Sequence, residues 1–240
     1  MPRAPRINLA GGHYHVFQRG VRRSDIYRTD SDRRLFLSYL RNTCLVSDWR
    51  CLAYCLMTNH YHLVIRTNRP SLSSGMQWLN ARYAEHFNLA YEHTGHVFQH
   101  RFGAKLIETH RYLLAAIRYV ELNAVNAGLC RSASSWQWSS YSVVTGTRSH
   151  REWFDRSAVL ALFGPDVDVA AVAYAKFIAD DNTDTEYNAT MRTRSERDAA
   201  IRSAHAQGGY TLRALAAAFA VSPATILRVV SSGSDPDETT

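Results

Sequence analysis

Asn59-His60-Tyr61-His62-Leu63-Val64-Ile65 is the stretch on which the fold turns. Its bulky and β-branched residues suit a strand, and in a strand His60 and His62, two positions apart, leave the same face. Two neutral imidazoles side by side make half of a divalent-metal site. The other half has to come from whatever packs over that face, so the flanking elements decide what the pair can do.

Upstream, Trp49 to Met57 reads as a strand and Thr58-Asn59 as a tight turn, which makes His60 to Arg66 the second arm of an antiparallel hairpin. Cys51, Ala53 and Cys55 alternate with Leu52, Tyr54 and Leu56, so the thiols are expected to line one packed face. A zinc set of Cys51, Cys55, His60 and His62 is the lesser alternative, since there is no CxxC spacing. Earlier still, His13 to Arg19 alternates as a first strand that Gly20 ends. It carries a second H-x-H, His13 and His15, with no ligand partner nearby in sequence, so a structural or substrate-contact role is expected for it. Between the two strands, Asp30 or Ser31 is the expected cap of a helix reaching about Val46, with Leu35, Phe36, Tyr39, Leu40 and Cys44 at helical spacing.

Downstream, Ser71 follows Pro70 and opens a long helix in which Leu72, Met76, Leu79, Tyr83 and Phe87 share one face. A loop from His93 to His100 leads to a strand from Gly103 to Thr109, and Thr109 caps a further helix. Leu113, Ile117 and Val120 face the core there, while Tyr112, Tyr119 and Asn123 return to a different common face. The order β-α-β-β-α-β-α with antiparallel pairing is that of an α+β layer of sheet and helices.

Charge separates the two ends of the chain. Residues 1–150 hold 19 Lys and Arg against 8 Asp and Glu, and residues 151–240 hold 9 against 13. The positive field therefore belongs to the first part, in ordinary folded sequence, where a polyanion would meet it; a solvated Arg-rich exterior is the plainer alternative. Apolar runs are too short to span a bilayer and no apolar segment follows the basic start, so a cytoplasmic protein with no membrane partner is expected. Residues 147–192 read as a helical connector, flexible near Asp180 to Thr190. Residues 193–240 form a small all-α unit with a disordered tail: Thr211 caps Leu212, Leu215, Ala216 and Phe219, a turn falls at Ala220 to Ser222, and Pro223 opens a helix with Ile226 and Val229. That spacing is of the helix-turn-helix kind, although the turn carries Ala220 where glycine is usual, and DNA contact and plain packing both remain open.

Several pieces together carry a family resemblance. Asn59-His60-Tyr61-His62-Leu63 resembles the HUH motif, and Arg118-Tyr119-Val120-Glu121-Leu122-Asn123 resembles the helix bearing a single nucleophilic tyrosine. Gly12-His13-Tyr14-His15 with Arg19-Gly20, Leu56-Met57-Thr58-Asn59-His60, Gly95-His96-Val97-Phe98-Gln99 with Arg101-Phe102, Ala127-Gly128-Leu129 and Trp136-Gln137-Trp138-Ser139-Ser140-Tyr141 fit in order. Over about residues 1–146 the chain is similar to the REP-associated tyrosine transposases, relatives of the single-tyrosine HUH insertion-sequence transposases. Two places depart from the family pattern: Ala124 stands where proline usually follows the asparagine, and Thr58 stands where the loop usually has proline. Both affect backbone stiffness and leave the chemical groups in place.

The resemblance implies a ferredoxin-like antiparallel sheet with helices, the HUH nuclease fold, and single-stranded DNA with a hairpin of the repetitive extragenic palindrome type as partner. It implies a Mg2+ or Mn2+ cofactor held by His60, His62 and Asn123, and Tyr119 as the catalytic nucleophile. Attack by that phenol would leave a 5′-phosphotyrosine link and a free 3′-OH, which can reverse the reaction and join strands. Arg19, Arg101, Lys105 and Arg118 are the expected DNA contacts, and Trp136, Trp138 and Tyr141 stack on bases or join the core. Relatives include monomers and homodimers. Two rivals stay open: a hairpin-binding protein that no longer cuts, and a metal-dependent phosphoesterase that uses water.

Overall fold

The hairpin forms around Thr58-Asn59 in the computed structural model, which describes residues 8–149, 152–180, 194–219 and 221–231. Strands β2 (Trp49–Leu56) and β3 (His60–Thr67) pair antiparallel, with Cys55 opposite His62 and Tyr54 opposite Leu63. A register shift between Cys51 and Ala53 interrupts the strict alternation expected of Cys51, Ala53 and Cys55. Strand β1 (His13–Arg19) takes the other edge of β3, and β4 (Gly103–Ile107) pairs with β1, so the sheet runs β2-β3-β1-β4, all antiparallel.

Three helices complete the predicted order: α1 (Asp30–Ser47), α2 (Leu72–Ala90) and α3 (His110–Asn126). The cap of α1 is Thr29, one residue before the expected Asp30 or Ser31. Its hydroxyl accepts from the Asp32 N–H, and the Asp32 carboxylate reaches back to the Thr29 N–H at 2.8 Å. Asp30 and Ser31 look like caps in isolation, but only Thr29 has an acid three residues on to close this reciprocal pair. Ser71 stands at the start of α2 yet makes no cap bond. Its hydroxyl instead donates to the Ser47 carbonyl at 2.6 Å and accepts from the Trp49 indole at 2.9 Å, tying the helix start to the hairpin. One turn on, Gly75 lets the Trp49 ring lie against α2, where a Cβ would stand 2.2 Å from it.

The faces sort as the periodicity predicts. Leu72, Met76, Leu79, Tyr83 and Phe87 are buried, and α1 and α2 cover the sheet face that carries Tyr61, whose ring lies 4.7 Å from Phe36 and whose hydroxyl donates to Asn80. Helix α3, capped by Thr109 through the Tyr112 N–H, covers the opposite face, the one His60 and His62 share.

The connector expected over 147–192 is more than a connector. After α4 (Tyr141–Val144), helices α5 (Arg156–Ala161) and α6 (Val167–Ala179) bury Val159, Leu160, Ala170, Tyr174 and Ile178 in the core that contains the sheet. Trp138 is buried there too, and the Trp136 indole donates to the Leu56 carbonyl, so both tryptophans brace β2. The outer edge of β2 is closed by backbone bonds from Ser140 and Asp155, which protects it from pairing with other chains. A second core gathers Ile201 and Ala204 of α7 (Arg194–Ala206), Leu215 of α8 (Leu212–Ala218), Phe219, and Ile226 and Val229 of α9 (Pro223–Ser231), together with Leu9. Thr211 caps α8 as predicted; Ala220, the segment 181–193 and the C-terminal tail lie outside the described residues. Among the described residues no helix is long and apolar enough to cross a membrane.

Candidate active site

Strand pairing sets Phe17 opposite His62 and Arg19 opposite His60, so one face of β1 and one face of β3 bring His15, Phe17, Arg19, His60 and His62 together. From above, α3 lays the Tyr119 ring edge-on against both His62, at 5.4 Å between ring centres, and His15, at 5.5 Å. One turn later the Asn123 Oδ1 stands 3.2 Å from His60 Nε2. A cavity of about 670 Å³ opens over these rings, and Arg19, Arg101 and Lys105 contribute to its walls with their exposed side chains. Arg118 does not join them. The helix turns roughly 100° per residue, so the neighbour of Tyr119 points elsewhere; Arg118 is 5% exposed and stacks its guanidinium over Phe177 of α6, which removes it from the expected DNA contacts.

The protonation pattern follows from the hydrogen bonds. Asn59 Nδ2 donates to the Arg23 carbonyl at 2.9 Å, which turns its Oδ1 toward His60 Nδ1 at 2.7 Å. An amide oxygen can only accept, so His60 Nδ1 carries the hydrogen. Burial, reinforced by Arg19, lowers the His60 pKa to about 4 against an opposing contact from Asn123. The ring is therefore neutral at neutral pH and its Nε2 keeps a lone pair, aimed at Asn123. Burial, then His15, His60, Arg19 and Lys105, holds His62 well below the usual imidazole range, and burial with Lys105 takes His15 to about 3.

These residues fit a divalent cation. Two ligand atoms at right angles on an ion with bonds of about 2.1 Å stand about 3 Å apart, close to the distance between His60 Nε2 and Asn123 Oδ1. Two imidazoles sharing such an ion have ring centres about 5 Å apart; those of His60 and His62 are 5.1 Å apart and perpendicular. Among the described residues no group of three or more His, Cys, Asp and Glu is placed to hold a metal.

The comparisons with known proteins bear on the same residues. Residues 8–123 match the family model described as "Transposase IS200 like". Over those residues, a little under half of the chain, it is similar to the IS200-like transposases. The matched span includes His15, His60, His62 and Tyr119 and ends on Asn123. A solved structure of a REP-associated tyrosine transposase bound to a REP hairpin shares the fold, with a TM-score of 0.52, 16% identity, and 70% of this chain and 93% of that chain covered. The tRNA(His) guanylyltransferase of Saccharomyces cerevisiae aligns at 9% identity over 76% of this chain and 84% of that one, with a TM-score of 0.39, too low to support any inference. No curated protein sequence matches.

Three features of this IS200-like domain were not read from sequence. His15 meets His62 directly, with Nε2 to Nδ1 at 2.9 Å. Gln18 holds the segment that delivers Arg101, donating from Nε2 to the His100 carbonyl at 2.6 Å, while Gln99 N–H bonds to the Arg19 carbonyl. Asn59 fixes His60, and the carbonyl it leans on belongs to a turn in which Arg22 and Arg23 hold positive φ of 51° and 62°. Such backbone costs about 1 kcal/mol or more per residue and concentrates where a site over-determines it. The second H-x-H was the available signal, but its use depends on the β1–β3 register, which composition does not supply. Opposite Phe17, Gly103 leaves room for the ring; a Cβ there would stand 2.3 Å from it.

Proposed function

We propose that this transposase-type chain cuts and rejoins single-stranded DNA beside a hairpin, with Tyr119 as nucleophile. The observation that carries the proposal is the Tyr119 ring packed on His62 and His15, one turn from Asn123, in a cavity bordered by Arg19, Arg101 and Lys105. The hairpin is taken from the solved relative, which was bound to one. Arg19, Arg101 and Lys105 hold the sugar–phosphate backbone so that a phosphorus atom lies beside the phenol. The Tyr119 oxygen bonds to that phosphorus, the bond to the 3′ oxygen breaks, the phenol loses its proton and the departing 3′ oxygen gains one. Because the link conserves a phosphoester, a 3′-OH held in the same cavity reverses the step and joins strands without ATP. A Mg2+ or Mn2+ ion bound by His60, His62 and Asn123 would supply positive charge to the phosphate oxygens. Exposed Leu227 and Arg228 make α9 the candidate for a further contact to duplex DNA.

An end-labelled hairpin oligonucleotide with single-stranded flanks tests this. The expected result is a covalent protein–DNA adduct that needs Mg2+ or Mn2+ and disappears with EDTA. Binding without an adduct would favour a hairpin-binding protein, and cleaved product without an adduct would favour a phosphoesterase that uses water.

A further inference from the structure

We propose that His15 is a positioning residue for His62: it accepts the His62 Nδ1 hydrogen and so keeps the His62 Nε2 lone pair facing the cavity. The proposal rests on the reading of His62 as a cation ligand, and its first readout does not depend on that reading.

The geometry is specific. His15 is 2% exposed and His62 7%. Their rings meet edge to edge, with planes 25° apart and centres 5.1 Å apart, and His15 Nε2 lies 2.9 Å from His62 Nδ1. Two uncharged imidazoles joined this way share one hydrogen, and only two arrangements exist. If His15 donates, His62 must carry its own hydrogen on Nε2, where it would point toward a cavity bordered by Arg19 and Lys105 and could ligate nothing. If His62 donates, its Nε2 is a bare lone pair in a positive field, and His15 carries its hydrogen on Nδ1. The neighbouring cations favour the second arrangement.

His60 is treated in the same way. Its Nδ1 faces the Asn59 oxygen at 2.7 Å, so each histidine of the pair has a dedicated acceptor behind it. Ligand histidines in metal sites are commonly oriented through the ring nitrogen that does not ligate, often by a carboxylate. Here both acceptors are neutral. They fix the rings without adding negative charge that would offset a cation's pull on a phosphodiester, which suits a substrate that is itself an anion. His15 is also too far back to be a ligand: it meets His62 at Nδ1, the side remote from the Nε2 lone pair.

The test combines nitrogen-15 NMR of the histidine rings with Mn2+ titration of the full chain, for wild type, His15→Leu and His15→Gln. Gln can place an amide oxygen near the former Nε2 position; Leu fills the space without an acceptor. In wild type the expected His62 form is Nδ1–H. In His15→Leu the ring is expected to shift to the Nε2–H form and Mn2+ affinity to fall by about 10–100-fold, with the fold retained by circular dichroism. In His15→Gln the Nδ1–H form and an affinity within a few-fold of wild type are expected to return. An Nε2–H His62 in the wild type would overturn the proposal, as would equal Mn2+ affinity in wild type and Leu variant, or a Gln variant no better than Leu. If wild type shows Nδ1–H at His62 and takes up no Mn2+, the cation reading fails while the role of His15 in setting the ring stands.

Discussion

At the residue scale, the site is a set of side chains whose donors and acceptors are already committed. Tyr119→Phe removes one oxygen from a ring that packs against His15 and His62, so hairpin binding in a gel-shift assay is expected within a few-fold of wild type while adduct formation is lost. Asn123→Ala takes away the oxygen beside His60 Nε2, and Mn2+ affinity by calorimetry is expected to fall about 10–100-fold; an unchanged affinity would mean that the amide is not a ligand. That His60 and His62 share a face, and that Tyr119 and Asn123 share one, was legible in the sequence because each pair lies within one element, where a spacing of two on a strand or four on a helix fixes it. His15 was not, because its meeting with His62 depends on how β1 slides against β3. Arg118 misled for the complementary reason: sequence adjacency to Tyr119 says nothing of direction on a helix.

At the element scale, α3 has two working faces. One presents Tyr119 and Asn123; the other fastens the helix through Glu121, fully buried, whose carboxylate accepts from the Ser140 and Tyr174 hydroxyls. Burial outweighs those hydrogen bonds and raises the Glu121 pKa to about 7. A carboxyl raised in the folded state favours folding most while protonated. Its contribution is full below about 4.5 and is lost as pH rises through about 7. Glu121→Gln keeps an acceptor for both hydroxyls and cannot ionise. The variant is expected to match wild type in urea denaturation at pH 4.5 and to exceed it at pH 8 by an amount on the order of 3 kcal/mol. The buried imidazoles work in the opposite direction, so the comparison is between the two chains at each pH. Equal stability at both pH values would show that Glu121 ionises freely in the fold. On the far side of the site, Gly103→Val would drive the Phe17 ring out of its seat beside His62, and a loss of 1–3 kcal/mol is expected from the forced displacement, read by thermal unfolding. The strands and helices were readable from periodicity; the Thr29 cap and the Ser71 hydroxyl were not, because both depend on a partner's reach across space.

For the whole molecule, the charge imbalance between the two ends of the sequence finds a structural outlet. Arg19, Arg101 and Lys105 arrive from three different segments at one cavity, and the burial of Arg118 shows that the basic count alone overstates the contact surface. Each phosphate neutralised on a single strand contributes a slope of about −0.7 to log K against log salt. Arg101→Ala is expected to flatten that slope by about this amount for a single-stranded oligonucleotide, with little change in preference among sequences. An unaltered slope would place Arg101 outside the DNA path. The placement of the C-terminal helices lay beyond sequence reasoning, since they share a core with Leu9 and accept a hydrogen bond at Tyr210 from Asn8, two residues some two hundred positions away.

If the phenol of Tyr119 becomes bonded to DNA, peptide mass spectrometry of the adduct locates the link. Cleavage after arginine releases residues 119–131 with Tyr119 as the one tyrosine, and residues 112–118 with Tyr112 as the one tyrosine. A nucleotide mass is expected on the first peptide, joined through its 5′ phosphate. A nucleotide on the 112–118 peptide, or on none containing tyrosine, would contradict Tyr119 as the nucleophile.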